Sequence, residues 1–302
     1  MNTKTSHPTN QRTQALRGHA AMLLFAALIS VSFSLGSPAA HHIEPAALTA
    51  ARFLLAACII GALAAPQMKW VHFRATWRYP AIGGLLAFYF IMMFEALRLT
   101  DPVSTAAVFT LTPIMSALFG WLLLRQITTT IMATSLVLAG LGAIWVIFRA
   151  DVAAILGLRV GLGEQIMFLG CAGHALYAPL ARKLNRDEPI LVYTFGGICG
   201  GLLVTMVYGA GDVLRTDWVN LPSIAWAAVL YLATFATAVT FFLVQYATLR
   251  LPSSKVMAYG YLVPSFVILW EGLLGNGWVT APVWLGVGLT VAALLVLLRD
   301  RT

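Results

Sequence analysis

The stretch G-C-A-G-H-A-L-Y, residues 170–177, holds two side chains able to do chemistry, His174 and, three residues on, Tyr177. On a helix that spacing puts them on neighbouring faces. A neutral imidazole can hydrogen-bond a small molecule, and a protonated one can carry a proton; a plain interhelical hydrogen bond would use the ring equally well. No second His or Cys follows at ligand spacing, and Cys58, Cys171 and Cys199 have neither metal-binding nor redox spacing. No metal, cofactor or disulfide framework is therefore expected. Tyr89 and Phe90, Phe241 and Gln245, Thr110 and Thr112, and Tyr259 and Tyr261 add aromatic surface and scattered polar groups. Thr234, Thr237 and Thr240 recur every third residue as a narrow polar stripe, with Thr237 as its candidate contact. Such a set without fixed charge suits a planar or apolar small molecule bearing a few hydrogen-bonding groups. Threonines bonding back to their own helix, and aromatics packing between helices, are the commoner use of these residues. Glu95 and Glu271 are candidates for taking a proton or facing an ammonium group, although an ion pair with Arg52 or Arg98 is the favoured reading of both.

What must position these residues is set by composition. Sixty per cent of the chain is hydrophobic, 10% is charged, and the mean hydropathy is +0.85. A soluble domain carries about 25% charge, so this chain must be covered by something other than water. Its apolar runs are continuous, which excludes a membrane barrel with its period of two. The expectation is an all-α polytopic membrane protein with ten transmembrane helices, at 18–36, 46–65, 79–99, 103–123, 128–148, 163–183, 189–209, 222–247, 254–274 and 279–298.

The net charge of +8 sets orientation. With both termini cytoplasmic, 14 of the 19 basic residues fall on the cytoplasmic side, as the positive-inside rule requires. Nucleic acid is not implied. The partners expected are a lipid bilayer and a small-molecule substrate, for a monomer. The leader before the apolar run 20–35 and the small residues Ser37-Pro38-Ala39-Ala40 also fit a cleaved signal peptide.

The internal repeat argues for keeping that first span. Residues 97–123 and 249–274 both open on Leu-Arg-Leu, reach a proline 15 or 16 residues later and close on Leu-Leu. Glu44-Pro45 enters span two as Glu188-Pro189 enters span seven. The halves are thus five-span units at 18–148 and 163–298, with tails at 1–17 and 299–302 and a connecting loop at 149–162. An odd number of spans sends the second unit in from the opposite side, so the repeats are inverted, an arrangement that points to alternating-access transport. Pro113 and Pro264 then mark helix breaks beside a midplane cavity and serve as kink or gating points. A proline inside a helix costs about 3 kcal/mol, tolerated where the freed carbonyls line a cavity; a packing kink without ligand contact is the alternative.

The aromatic-x-Ala-Leu before the turn, the Ala-rich stretch 104–108, the midspan prolines and Ala51-Arg52-Phe53 in span two resemble the EamA domain of the drug/metabolite transporter superfamily. The likeness covers essentially the whole chain as two repeats. It is most similar to the YddG-type aromatic amino-acid exporters of bacterial inner membranes. The Gly-Glu pairs usual in that family after spans four and nine are replaced here by Leu124-Arg125-Gln126 and Gly275-Asn276. The resemblance implies a secondary transporter that exports amino acids, aromatic ones favoured, or similar metabolites across the inner membrane. A multidrug or quaternary-amine exporter is the alternative, with an aromatic cage assisted by Glu95 or Glu271. An intramembrane enzyme using His174 as a base would need a second catalytic group that the chain does not offer, and a non-transporting scaffold is the remaining class.

Overall fold

The computed structural model describes residues 8–127, 129–157, 160–248, 250–251 and 253–298. All regular structure among them is helical. The first half comprises α1 (Pro8–Ala40), α2 (Pro45–Ala64), α3 (Arg78–Leu99), α4 (Pro102–Phe109), α5 (Thr112–Leu124) and α6 (Thr130–Ile147). A short α7 (Val152–Leu156) lies in the connecting loop. The second half comprises α8 (Leu162–Leu184), α9 (Ile190–Arg215), α10 (Ser223–Ala233), α11 (Thr240–Thr248), α12 (Ser253–Ala258), α13 (Val263–Leu273) and α14 (Val283–Leu298). Helix α1 begins ahead of the apolar run, because main-chain hydrogen bonding continues into polar sequence where hydropathy stops.

Among the described residues, eight helical segments are long and apolar enough to cross a membrane. Side chains such as Leu118, Leu122, Leu141, Leu203, Val207 and Leu285 project outward from the bundle. An apolar exterior of that kind belongs in lipid, not water. Two further helices of the bundle fall short of that measure. Helix α8 carries His174 and Glu164 within 23 residues, and α14 is only 16 residues long.

The halves interlock. Helix α1 packs on α10, α11 and α13, while α8 packs on α3, α4 and α5. Helix α2 pairs with α9, α6 with α14, α3 with α9 and α2 with α10. Each of these contacts of a first-half helix with a second-half helix has its reciprocal.

Both prolines start helices. After α4, the N–H groups of Thr110 and Leu111 bond back three residues, to Ala107 and Val108 at 3.1 and 3.0 Å. Helix α5 then opens with Pro113 in its first turn. Helix α12 likewise passes through a tight 3-10 turn, Tyr259–Leu262, before α13 opens with Pro264 in its first turn. A first-turn N–H has no partner within its helix, so a proline there forfeits nothing. The interior cost expected from sequence is avoided because the helix stops and restarts.

Glycine seams bring α3 onto α9 and α6 onto α14. A Cβ on Gly83 would collide with the backbone of Gly197 and Gly201, and one on Gly142 with the carbonyl of Gly286. Gly288, equally a candidate for close packing, faces open space. At the N-terminal end of α3, Arg78 donates to Glu188 at 2.5 Å and to the Leu184 carbonyl at 2.6 Å, with both charged side chains buried. At the other end Arg98 meets Glu44 at 2.9 Å in a more exposed pair. The two Glu-Pro acids therefore clasp opposite ends of one helix.

Gly83→Leu should destabilise the protein by about 1–3 kcal/mol through overpacking, whereas Gly288→Ala should not; thermal unfolding in detergent compares them. Burial by itself would raise the Glu188 carboxyl, but hydrogen bonds from Arg78 and from backbone N–H groups outweigh it and hold it below the usual carboxylate range. Its contribution to stability is therefore complete above about pH 4.3 and lost as pH falls through the lowered value. Glu188→Gln should cost about 3–5 kcal/mol, as a broken buried pair does, and flatten that acid limb in a pH series of unfolding.

Candidate functional site

A cavity lies where both halves meet. Helix α1 contributes Met22, Phe25 and Ile29; α3 contributes Tyr89 and Phe90; and the first helix break contributes Phe109, Thr112 and Pro113. Helix α8 adds His174 and Tyr177, and the stretch around α11 adds Ala236, Thr240, Phe241 and Val244. Val256, Met257 and Gly260 close it from the second break. The room left is about 50 Å³, enough for one or two waters and well short of the roughly 300–1,000 Å³ of a ligand pocket. A molecule of ligand size fits there only if the aromatic wall parts.

That wall is ordered by ring packing. Tyr89 lies 4.7 Å from the His174 ring and 5.0 Å from Phe90, centroid to centroid, and Phe109 lies 5.2 Å from His174. Tyr177 stacks on Phe241 at 6.4 Å, joining α8 to α11. Three polar atoms of the lining, Tyr89 Oη, Thr112 Oγ1 and His174 Nδ1, are buried without a hydrogen-bond partner. An unmet buried donor or acceptor costs about 1–3 kcal/mol. These are the atoms that a polar group on a bound molecule would satisfy.

Behind Phe90 lies Arg52, with no exposed surface. Its guanidinium sits 3.7 Å above the Phe90 ring centroid. Nε donates to Thr237 Oγ1 at 3.0 Å, and Nη2 donates to the same oxygen at 2.8 Å and to the Ala236 carbonyl at 3.0 Å. Nη1 has no partner. Among the described residues no carboxylate lies within 4.0 Å of Arg52; the ion pairs found there use other arginines. The carbonyl at Ala236 is reachable because residues Thr234–Val239 form a π-helical turn, a widened turn frequent at functional sites.

The same π turn redistributes the threonine stripe. A period of three holds only on a regular helix; here Thr240 lines the cavity while Thr237 turns to Arg52 and donates to the Leu232 carbonyl at 2.8 Å. Of the candidates, Tyr89, Phe90, Thr112, Pro113, His174, Tyr177 and Phe241 come together. Thr110 bonds its own helix at Ala107, Tyr259 pairs with His19 at 2.9 Å, and Tyr261 is wholly buried off the lining. Pro264 also stands off the lining, and the Gln245 side chain lies outside the described residues. Glu95 pairs with Arg98 at 3.7 Å, as expected. Glu271 does not pair with Arg52: it accepts from Asn276 at 3.0 Å, and its Oε1 is unpartnered. Met22, Phe25 and Ile29 went unrecognised as lining, although their spacing of three and four residues marks one helix face. Arg52 was signalled by being a base inside a span.

A second opening, of about 580 Å³, lies at the far ends of α1, α3 and α9 and is polar, with His41, Glu44, Arg98, Arg215, Asp217 and Asn220 among its walls. The described residues hold no cluster of three or more metal-ligating side chains.

The model of the EamA-like transporter family matches residues 16–148 and again residues 161–299. The chain belongs to that family. A curated relative, the "Uncharacterized transporter YyaM" of Bacillus subtilis (strain 168), is 24% identical over 262 residues, covering 84% of this chain and 85% of the relative. A solved crystal structure superposes with a TM-score of 0.66 at 19% identity, covering 95% of this chain and 96% of the other, and so shares its fold. The protein is thus a multi-pass membrane transporter, and its family and relative both point away from catalysis.

Tyr89→Phe removes a hydroxyl that bonds nothing in the protein, so it should leave the fold intact or stabilise it by up to about 1–3 kcal/mol. A drop in melting temperature for this variant would reveal a structural partner for the hydroxyl instead.

Proposed function

We propose that this EamA-family transporter exports amino acids, aromatic ones favoured, or similar small metabolites across the bacterial inner membrane by alternating access. In this reading it is a monomer of ten spans in two inverted five-helix repeats, 18–148 and 163–298, with both termini cytoplasmic. The reciprocal packing of α1 on the second half and α8 on the first is what a pseudo-two-fold in the membrane plane requires. The observation that carries the cargo class is the aromatic cavity whose wall holds three unanswered polar atoms, Tyr89 Oη, Thr112 Oγ1 and His174 Nδ1. Flat rings bind a flat side chain, and the polar atoms give it an orientation.

The quaternary-amine alternative needs an acid beside the aromatics. Glu95 and Glu271 both stand off the lining, which favours the amino-acid reading. Glu271, with one oxygen unpartnered, remains the better candidate of the two for coupling to protons.

Uptake of labelled Phe, Trp, Thr and a quaternary amine into proteoliposomes, with and without a pH gradient, tests this. Saturable Phe and Trp uptake is expected, and it should be lost in Thr240→Trp, which fills the cavity. Uptake of the amine without the amino acids would overturn the cargo assignment. A gradient-dependent initial rate would establish proton coupling.

A further inference from the structure

Arg52 is the most costly group in the membrane interior of this protein. A buried guanidinium ordinarily meets a carboxylate, because its charge is expensive to desolvate and its planar fork matches two oxygens. Here it meets a hydroxyl, a carbonyl and the faces of Phe90 and Phe94, and Nη1 has no partner. Its nearest neighbours border the cavity: Phe90 carries the guanidinium on its ring face, and Ala236 accepts its hydrogen bond, while both line the cavity. The cavity must widen to admit a substrate, and Phe90 is part of the wall that yields. Displacing that ring opens the cavity onto an unpaired cation.

We propose that Arg52 is the carboxylate anchor of the transported molecule, a reading that rests on the small-metabolite cargo proposed above. In the closed state Phe90 and the π turn hold the guanidinium; in the loaded state Nη1 donates to the substrate carboxylate while Nε stays on Thr237. The protein thereby selects carboxylate-bearing aromatics over the corresponding amines. Among the described residues no acid competes for this position, since Glu95 is with Arg98 and Glu271 is with Asn276.

Calorimetric titration of the full chain in nanodiscs with phenylalanine, phenethylamine and 3-phenylpropionate separates the possibilities. In Arg52→Met, affinity for the two carboxylates should fall roughly 10–100-fold, while phenethylamine binding is not weakened. Arg52→Lys keeps the charge, loses the fork and should weaken the carboxylates several-fold, which keeps the test available if the Met variant does not fold. Equal loss for all three probes, or no loss for any, overturns the anchor. Arg52-dependent binding of 3-phenylpropionate without phenylalanine would keep the anchor and overturn the amino-acid cargo. Arg52-independent binding of phenylalanine would do the reverse, and binding of phenethylamine alone would overturn both.

Discussion

In lipid there is no water to satisfy a bare carbonyl, so irregular main chain is permitted only where protein encloses it. This constraint organises the whole bundle. Besides a kink at Gly209 of α9, the structure departs from the α-helix at three places near one another: the turn after α4, the π turn Thr234–Val239 and the 3-10 turn before α13. Those three contribute to one cavity, through Thr112 and Pro113, through Ala236, and through Gly260. The exposed carbonyl of the π turn is used by Arg52. Three of the backbone breaks thus meet where the two halves of the chain enclose them.

Around that centre, rigidity comes from small residues and clasped ends. Gly83 against Gly197 and Gly201, and Gly142 against Gly286, let helix backbones touch. Arg78 and Glu188 fix one end of α3, and Arg98 and Glu44 fix the other. Helix α3 carries Tyr89 and Phe90 midway between those clasps, so the aromatic wall is held by a helix tethered at both ends.

Much of this was legible in the sequence. Continuous apolar runs gave the helices, and Pro113 and Pro264 gave the two breaks, because proline acts locally. Side-chain direction was less legible wherever it depends on a local change of helical period. The stripe Thr234, Thr237, Thr240 reads as one face only on a regular helix, and the π turn sends Thr237 and Thr240 different ways. Tyr259 and Tyr261 flank the second break as Thr110 and Thr112 flank the first, yet neither lines the cavity: the partner of Tyr259, His19, is 240 residues away in sequence. Arg52 was visible as an intramembrane base, but that it would meet rings and a carbonyl and no acid is a property of packing.

The interlocking of the halves also governs how the protein is made. Helix α1 leaves the ribosome well before its chief neighbours, α10, α11 and α13, which begin only at Ser223. At about 5–20 residues per second, the bilayer hosts α1 for tens of seconds before those neighbours exist. Its buried face, with Ser30, Ser32 and Ser34, must be tolerated by lipid in the interval. Helix α1 is thus enclosed late, only once the residues from Ser223 onward have arrived.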